Sequence, residues 1–547
     1  MDDKANEIIA RHNALLEGMT NWKNLWDDAA NYIMPHKGNI TSVVSPGEEQ
    51  TNEVYDSTAE ESLLVFAAGL VSQMVPPGEL WFRYEPADEN SSEPIRAWFD
   101  DCTQRAARAI YSSNFYMAIH EDFLDAGFCG TSNTYLEEGR NHLLNFCNIP
   151  IGTYCIAENS EGIVDTVSRE WMWTAKQAAE QWGEEKLTKS LREALSSKDA
   201  SGYGKKFKFI HSVYPRRKKD TKPGQVEGKL RPIESVYVCV EDSMVIEESG
   251  FYEMPYAVSR VMRSRNEVWG RGPGTQILPE VRMLNRMEMD LLIATEKHVG
   301  PSWLMPDDSA YRPDNRPNGI TYWDASNPNN KPERIQEVSR LDYGENKTEQ
   351  KRKRIRSAFF ADMFQMLSSS QEMKREKTAF EVAQMIQEKL VLFSPMFARM
   401  VQEKLNPLLE RVFAVMLREG MFTPPPEGLE GTDYEISYVS KIALAIKAAQ
   451  NNSLMELLQI ANAMMPFDQS VASVVNWRKA FRDVSRNRGT SADWMRTDEE
   501  VDQMISDMQK AAAAQQAANT AKTMSETAKN LGPQAQQAAS GAMAGAM

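Results

Sequence analysis

Long apolar runs are missing from this 547-residue chain: the longest, Leu63 to Val71, has nine residues, against the ~18 or more that a bilayer span needs. The opening Met1-Asp2-Asp3-Lys4 lacks a signal peptide's basic-then-apolar pattern. Both absences predict a soluble chain with no membrane partner. Cysteine is scarce. Cys102, Cys129, Cys147, Cys155 and Cys239 are odd in number and form no C-x-x-C pair, so neither a disulfide framework nor a zinc site is indicated. Basic charge is also in deficit: 62 Lys and Arg stand against 77 Asp and Glu, a net charge of -15. General attraction to phosphates needs the opposite sign, which excludes a conventional DNA binder but not a protein that surrounds DNA without gripping it.

Catalytic signatures are missing as well. A phosphate-binding G-x-x-x-x-G-K-[ST] loop is not formed, because Asp199 precedes Gly204-Lys205 and Pro223 precedes Gly228-Lys229 where the first glycine is required. There is no G-x-S-x-G, H-E-x-x-H or EF-hand loop, and the six histidines are scattered. No metal or cofactor is expected. Carboxylates are plentiful, so a metal-dependent DNA-processing enzyme built on distant carboxylates stays open as the alternative, although no spacing favours one.

Among the features present, the organising one is Thr275 to His298, which reads as a single long helix entered through Trp269-Gly270-Arg271-Gly272-Pro273-Gly274. Ile277, Val281, Leu284, Met287, Leu291 and Ala294 recur at helical spacing on one face. Leu278, Met283 and Leu292 form a second, narrower apolar edge, which predicts contacts on more than one side. Pro279 is tolerated if it falls in the first turn, and Gly300-Pro301 ends the helix. A Pro, Asn and Asp-rich stretch from Pro301 to Pro332 follows. A second helix from about Glu345 to Leu367 then returns antiparallel, carrying Lys351-Arg352-Lys353-Arg354.

Ile8, His12, Leu15, Met19, Trp22, Trp26, Ala29 and Ile33 predict one amphipathic N-terminal helix, with His12 packed or partnered rather than ligating. From Asn145 to Tyr256 the period turns alternating, which predicts an α+β region interrupted by a helix from Thr174 to Leu195. A polar loop from Ser368 to Lys377 ends where Thr378 and Glu381 have capping-box spacing. The helix it opens is bent at Pro395 and Pro407 and stops at Gly420. From Ala511 the chain is Ala, Gln, Thr and Met-rich, consistent with an exposed helix that needs neighbours.

Several stretches, in their order and spacing, resemble the portal or head-to-tail connector proteins of short-tailed bacteriophages. They are Phe66-Ala67-Ala68-Gly69-Leu70 through Pro76-Pro77-Gly78-Glu79-Leu80-Trp81-Phe82, Ser113-Asn114-Phe115-Tyr116 with Phe128-Cys129-Gly130-Thr131, and Tyr154-Cys155-Ile156-Ala157-Glu158-Asn159. Val164-Asp165-Thr166-Val167 with Arg169-Glu170, the loop Trp269 to Gly274, and Lys377-Thr378-Ala379-Phe380-Glu381-Val382 complete the set. Phe380 replaces an expected small or hydroxyl residue and Trp269 an expected Tyr.

The resemblance implies a mainly α chain with an α+β wing domain, in a portal fold of wing, stem, clip and crown that assembles into a ring. It implies a wing over residues 1–262, a first stem helix with its entry loop over 263–299, a clip over 300–344 and a second stem helix over 345–367. A channel loop at 368–377, a long kinked wing helix and following strand at 378–439 and a crown at 440–510 follow. Residues 511–547 would form a C-terminal barrel helix or a disordered tail. The ring, a dodecamer, would sit at one capsid vertex as a non-enzymatic channel for double-stranded DNA during packaging and ejection. Its partners would be the terminase large subunit, tail adaptor and nozzle proteins, and capsid and scaffolding proteins. Ile277, Val281, Leu284, Met287 and Leu291 are expected at the stem interface, since a closed ring needs contacts on two sides. Lys374, Arg375 and Lys377 are expected to touch DNA transiently and without sequence preference. Tyr311, Tyr322 and Trp323 are expected to dock partners at the clip.

Overall fold

A computed structural model of the chain describes residues 2–38, 54–88, 91–139, 143–196, 204–216, 230–300, 341–368, 393–426, 433–439 and 498–530, with isolated residues between 40 and 51, between 302 and 334, and at 428–429. The chain divides into two units, Met1–Gln450 and Asn451–Met547.

The N-terminal seam is two helices, not one: α1 (Asp3–Glu17) and α2 (Thr20–Ile33). The two halves serve different cores, which explains the break at Gly18. Ala5 and Ile8 pack with Ile210, Val236 and Val238, whereas Trp26, Ala29 and Ile33 join the main core. Helix α3 (Thr58–Met74) is stopped by Pro76-Pro77 and followed by β1 (Phe82–Pro86), α4 (Glu93–Ser112) and α5 (Phe115–Phe128).

Strands β2 (Thr131–Glu138), β3 (Leu144–Asn148) and, much later, β9 (Tyr256–Arg260) form a three-stranded antiparallel sheet in the order β3-β2-β9. Strand β2 is hidden from sequence reasoning because Thr131, Ser132, Asn133 and Thr134 are polar yet fully buried. Between β3 and β9, the strands β4 (Tyr154–Glu158), β5 (Val164–Thr174), β6 (Lys206–Pro215), β7 (Ile233–Cys239) and β8 (Met244–Phe251) build a five-stranded antiparallel meander. One face of it, with Phe207 and Phe209, is covered by α6 (Ala175–Trp182) and α7 (Lys189–Ser196), and the other by α1. The single helix expected from Thr174 to Leu195 is thus divided. Gly183 adopts φ +82°, a conformation costly for any other residue, and separates the two.

The long helix α8 spans Pro273–Val299, so Pro279 sits at its seventh position, one turn deeper than anticipated. Strands β10 (Trp303–Leu304) and β11 (Glu333–Arg334) pair antiparallel beyond it. The returning helix is α9 (Leu341–Ala358) followed by α10 (Ala361–Ser368), broken at Phe359-Phe360 rather than continuous. Residues 393–400 are helical, widen into a π-turn at Val401–Leu405 and continue as α11 (Asn406–Arg418). Pro407 has no N–H to offer the Glu403 carbonyl, and the widened turn just before it absorbs that loss. Strand β12 (Tyr434–Tyr438) pairs antiparallel with β1, Phe82 facing Tyr438, and so ties the end of this unit to its start. In the second unit, α12 (Asp498–Asn530) exposes Met504, Ile505 and Met508.

Candidate functional site

The root of α8 is a joint made of backbone. Gly130, at φ +88°, lies against Gly272 and Arg271, and a Cβ added at Gly272 or Gly274 would come within 2.7 Å of backbone atoms of Ala126 or Phe128. Only glycine permits that approach. Gly270 N–H donates to Thr131 Oγ1 at 2.8 Å, Val261 N–H to the Gly130 carbonyl at 2.9 Å, and Met262 and Arg271 form an isolated antiparallel bridge. Trp269 is wedged between Trp26, 4.8 Å away edge-on, and Tyr154 at 5.5 Å. Thr275 closes the first turn by accepting the Gly272 N–H at 3.1 Å. Two motifs that are about 140 positions apart in sequence, Phe128 to Thr131 and Trp269 to Gly274, are therefore halves of one contact.

Around this joint the buried charges are locked in pairs. Lys404, in the π-turn, donates to Asp122 Oδ1 at 2.7 Å, to the Ala257 carbonyl at 2.6 Å and to Thr134 Oγ1 at 3.2 Å. Asp122 also accepts from Ser132 and Thr134, each at 2.7 Å. Burial drags the Lys404 ammonium below its ordinary value even with Asp122 beside it. Arg260 reaches Glu403 at 2.9 Å, Glu158 at 3.0 Å and the Gly162 carbonyl at 2.9 Å. Burial opposes its charge, but the two carboxylates outweigh it and hold Arg260 above its usual value. Asp125 is pushed up to about 6 by burial, against the pull of Lys37 at 2.7 Å and of Asn148. His12 is indeed a partnered histidine, bonded to Ser168 at 2.8 Å and Glu170 at 3.1 Å. Buried His211 falls to about 3 through burial and Arg169, and sits between Tyr256 and Ser235. These groups lock strands to helices; among the described residues no cluster of three or more His, Cys, Asp or Glu is arranged to hold a metal ion.

Helices α8 and α9 are joined by charge. Arg352 bridges Glu288 at 2.7 Å and Asp56 at 2.9 Å, while Lys351 and Arg354 both take Glu280. The basic run on the returning helix is thus spent largely on its neighbours. Tyr55 N–H donates to Asn285 Oδ1 at 2.6 Å, strapping the stretch before α3 across α8. Gly344 admits Leu291 of the facing helix. Phe360, at φ +55°, is strained for an aromatic residue and is pinned by Phe393, 5.5 Å away. Phe364 fills the space over Gly69, and Phe66 receives both Phe359 and Phe364.

Of the anticipated stem residues, Val281 and Leu284 are buried in the chain's own core, and Ile277, Met287 and Leu291 are half-buried. Leu278, assigned to the second edge, is also core. The apolar positions left open on α8 are Met283, Leu292, Ile293 and Val299. Tyr322 is 78% exposed. Tyr311, Trp323, Lys374, Arg375 and Lys377 lie outside the described residues. Sequence reasoning missed Lys404, Arg411, Asp122 and Arg260. The available signal was a lysine and an arginine on the apolar face that also carries Leu405, Leu408, Leu409 and Val412.

In the described body ionisable side chains serve as structural locks between strands and helices, and burial along the charge-joined helix α8 declines toward Val299. Residues 5–495 match the bacteriophage head to tail connecting protein family. The chain is 27% identical over 456 residues, 82% of it and 80% of the relative, to a "Probable portal protein" of Bordetella phage BPP-1. It is 26% identical over 524 residues, 93% of each chain, to the "Portal protein" of Salmonella phage epsilon15. With nine-tenths of its length matched, the chain belongs to the bacteriophage head-to-tail connecting protein family. This places it at the head-tail junction of the virion, between capsid and tail, and leaves the metal-dependent enzyme without support.

Proposed function

We propose that the chain is a portal protein: a dodecameric ring at one capsid vertex that conducts double-stranded DNA during packaging and ejection. The observation that carries this reading is the family match over residues 5–495 together with the charge-joined pair α8–α9 rooted in the body. In this reading residues 1–262 are wing, 263–299 and 345–367 stem, 300–344 clip, 440–510 crown and 511–547 a barrel helix or tail. The channel loop is 368–377, and 378–439 return to the wing. The subunit is structural, and the packaging ATPase is a separate terminase. Electron microscopy of the purified protein tests the reading: rings with a central hole support it, and compact monomers refute it.

A net charge of -15 suits a conduit that must not hold its cargo. Lys374, Arg375 and Lys377 make the few transient DNA contacts; unchanged packaging and retention in a triple-Ala variant would remove that role. Tyr311, Tyr322 and Trp323 dock the terminase and tail proteins, and clip-substituted rings that recruit both normally would refute that placement.

A further inference from the structure

On one side of α8, between it and α9, lies a cavity of about 490 Å³ whose lining includes Glu288, Glu345, Glu349, Arg352, Leu291 and Leu292. Arg352 is already committed to Asp56 and Glu288. Glu349 reaches Arg352 and Arg356 only at 3.9 Å, and Leu292 is 52% exposed beside it. The groove is therefore acidic with an apolar rim. At about 100° per residue, Glu288, Leu291 and Thr295 share one side of α8, while Arg286, Ile293 and Lys297 fall about half a turn away. Those three are exposed. Arg286 meets Asp290 at 3.3 Å, but both side chains are more than half exposed, so trading that pair loses little. One helix thus carries an acidic groove and, opposite it, a strip of Arg286, Asp290, Ile293 and Lys297 that is basic by one charge and has an apolar centre. Two unlike, complementary faces on one subunit are what a head-to-tail contact requires, whereas a two-fold contact uses the same face twice.

We infer that the groove is the socket for the Arg286–Ile293–Lys297 ridge of a second copy of this chain. Glu345 and Glu349 take the cations and Leu292 meets Ile293. The inference rests on the ring reading above and names the surface by which neighbouring helix pairs join. It moves the contact from Val281 and Leu284, which the core occupies, to side chains exposed on the outer face of α8.

Charge exchange in the full-length chain tests it, with assembly read by native mass spectrometry and sedimentation. Glu345→Lys with Glu349→Lys, or Arg286→Glu with Lys297→Glu, should each weaken association roughly a hundredfold or more, since like charges are then opposed. Combining all four should bring association back to within about tenfold of the wild type. Glu345→Gln with Glu349→Gln covers the case in which a reversal impairs folding, and should weaken assembly less while leaving the unfolding midpoint of the unassembled subunit unchanged. Wild-type rings that tolerate either reversal, or a quadruple variant no better than its parents, overturn the socket alone. A wild-type chain that stays monomeric overturns the ring reading with it. Assembly that depends on added magnesium and is not rescued by the quadruple exchange assigns the groove to a cation and overturns the inference as well.

Discussion

Replacing Lys404 by Met keeps the length of the side chain and removes its charge from a site where Lys404 and Asp122 are 1% and 0% exposed. The substitution leaves the Asp122 carboxylate with only Ser132 and Thr134 and deprives the Ala257 carbonyl of its 2.6 Å donor. Breaking a buried pair from one side costs about 3–5 kcal/mol, because the remaining charge is neither solvated nor paired. The two hydroxyl donors place this case at the lower end, about 3 kcal/mol. With a urea dependence of about 3 kcal/mol per molar, the unfolding midpoint should fall by about 1 M. Tryptophan fluorescence at fixed protein concentration follows it, since any assembly adds to apparent stability. Removing the second charge as well, in Lys404→Met with Asp122→Asn, should recover about 1–3 kcal/mol relative to Lys404→Met alone, because two neutral groups no longer leave an uncompensated ion. A single variant that loses less than about 1 kcal/mol, or a double variant whose loss equals the sum of its parts, would falsify the view that this pair locks the π-turn to β2 and β9.

Gly270→Ala forces a Cβ onto the Gly130 carbonyl and to 2.8 Å from Arg260 Cβ, so at least about 1–3 kcal/mol should be lost in the same assay; an unaffected variant refutes the backbone joint. Glu170 is held at about 2 from 4.5, as hydrogen bonds from His12 and Lys208 overcome burial. A depressed carboxylate stabilises above its unfolded value and loses that contribution as pH falls from about 4.5 through 2, so Glu170→Gln should flatten the acid limb by about 1–2 kcal/mol after allowance for its partial exposure. Asp125 has the opposite sign: its value is raised to about 6 from 3.8 by burial, so its contribution is present below about 4 and lost by about 6. Stability of Asp125→Asn should therefore rise relative to wild type across that interval, and a parallel pair of pH curves would contradict the assignment.

The long helix, its glycine entry and its return partner were legible in sequence because a 3.6-residue period over many turns leaves a strong pattern, and because Gly and Pro punctuate it. The breaks were not. Gly18, Gly183 and Phe360 interrupt apolar patterns that continue through them: separate cores on either side explain the turn at Gly18, whereas Gly183 and Phe360 turn the chain within one core through a positive φ that the apolar period does not announce. Strand β2 escaped notice because its polar residues are buried to serve Asp122 and the joint, against the usual sorting by hydrophobicity. The charge locks were invisible for a related reason: Asp122 and Lys404 are 282 positions apart, and no local spacing announces their meeting.

The glycine joint at the foot of α8 has a mechanical meaning. A helix of 27 residues is a lever about 40 Å long, so one degree of play at its foot moves its tip by about 0.7 Å. Backbone pressed on backbone has no rotamers to change, so Gly130, Gly270, Gly272 and Gly274 give the lever a bearing with little angular slack. Identical levers set at one angle can meet their neighbours at the same place around a closed circle. In the proposed ring, a single methyl group in the bearing would tilt every lever by the same amount.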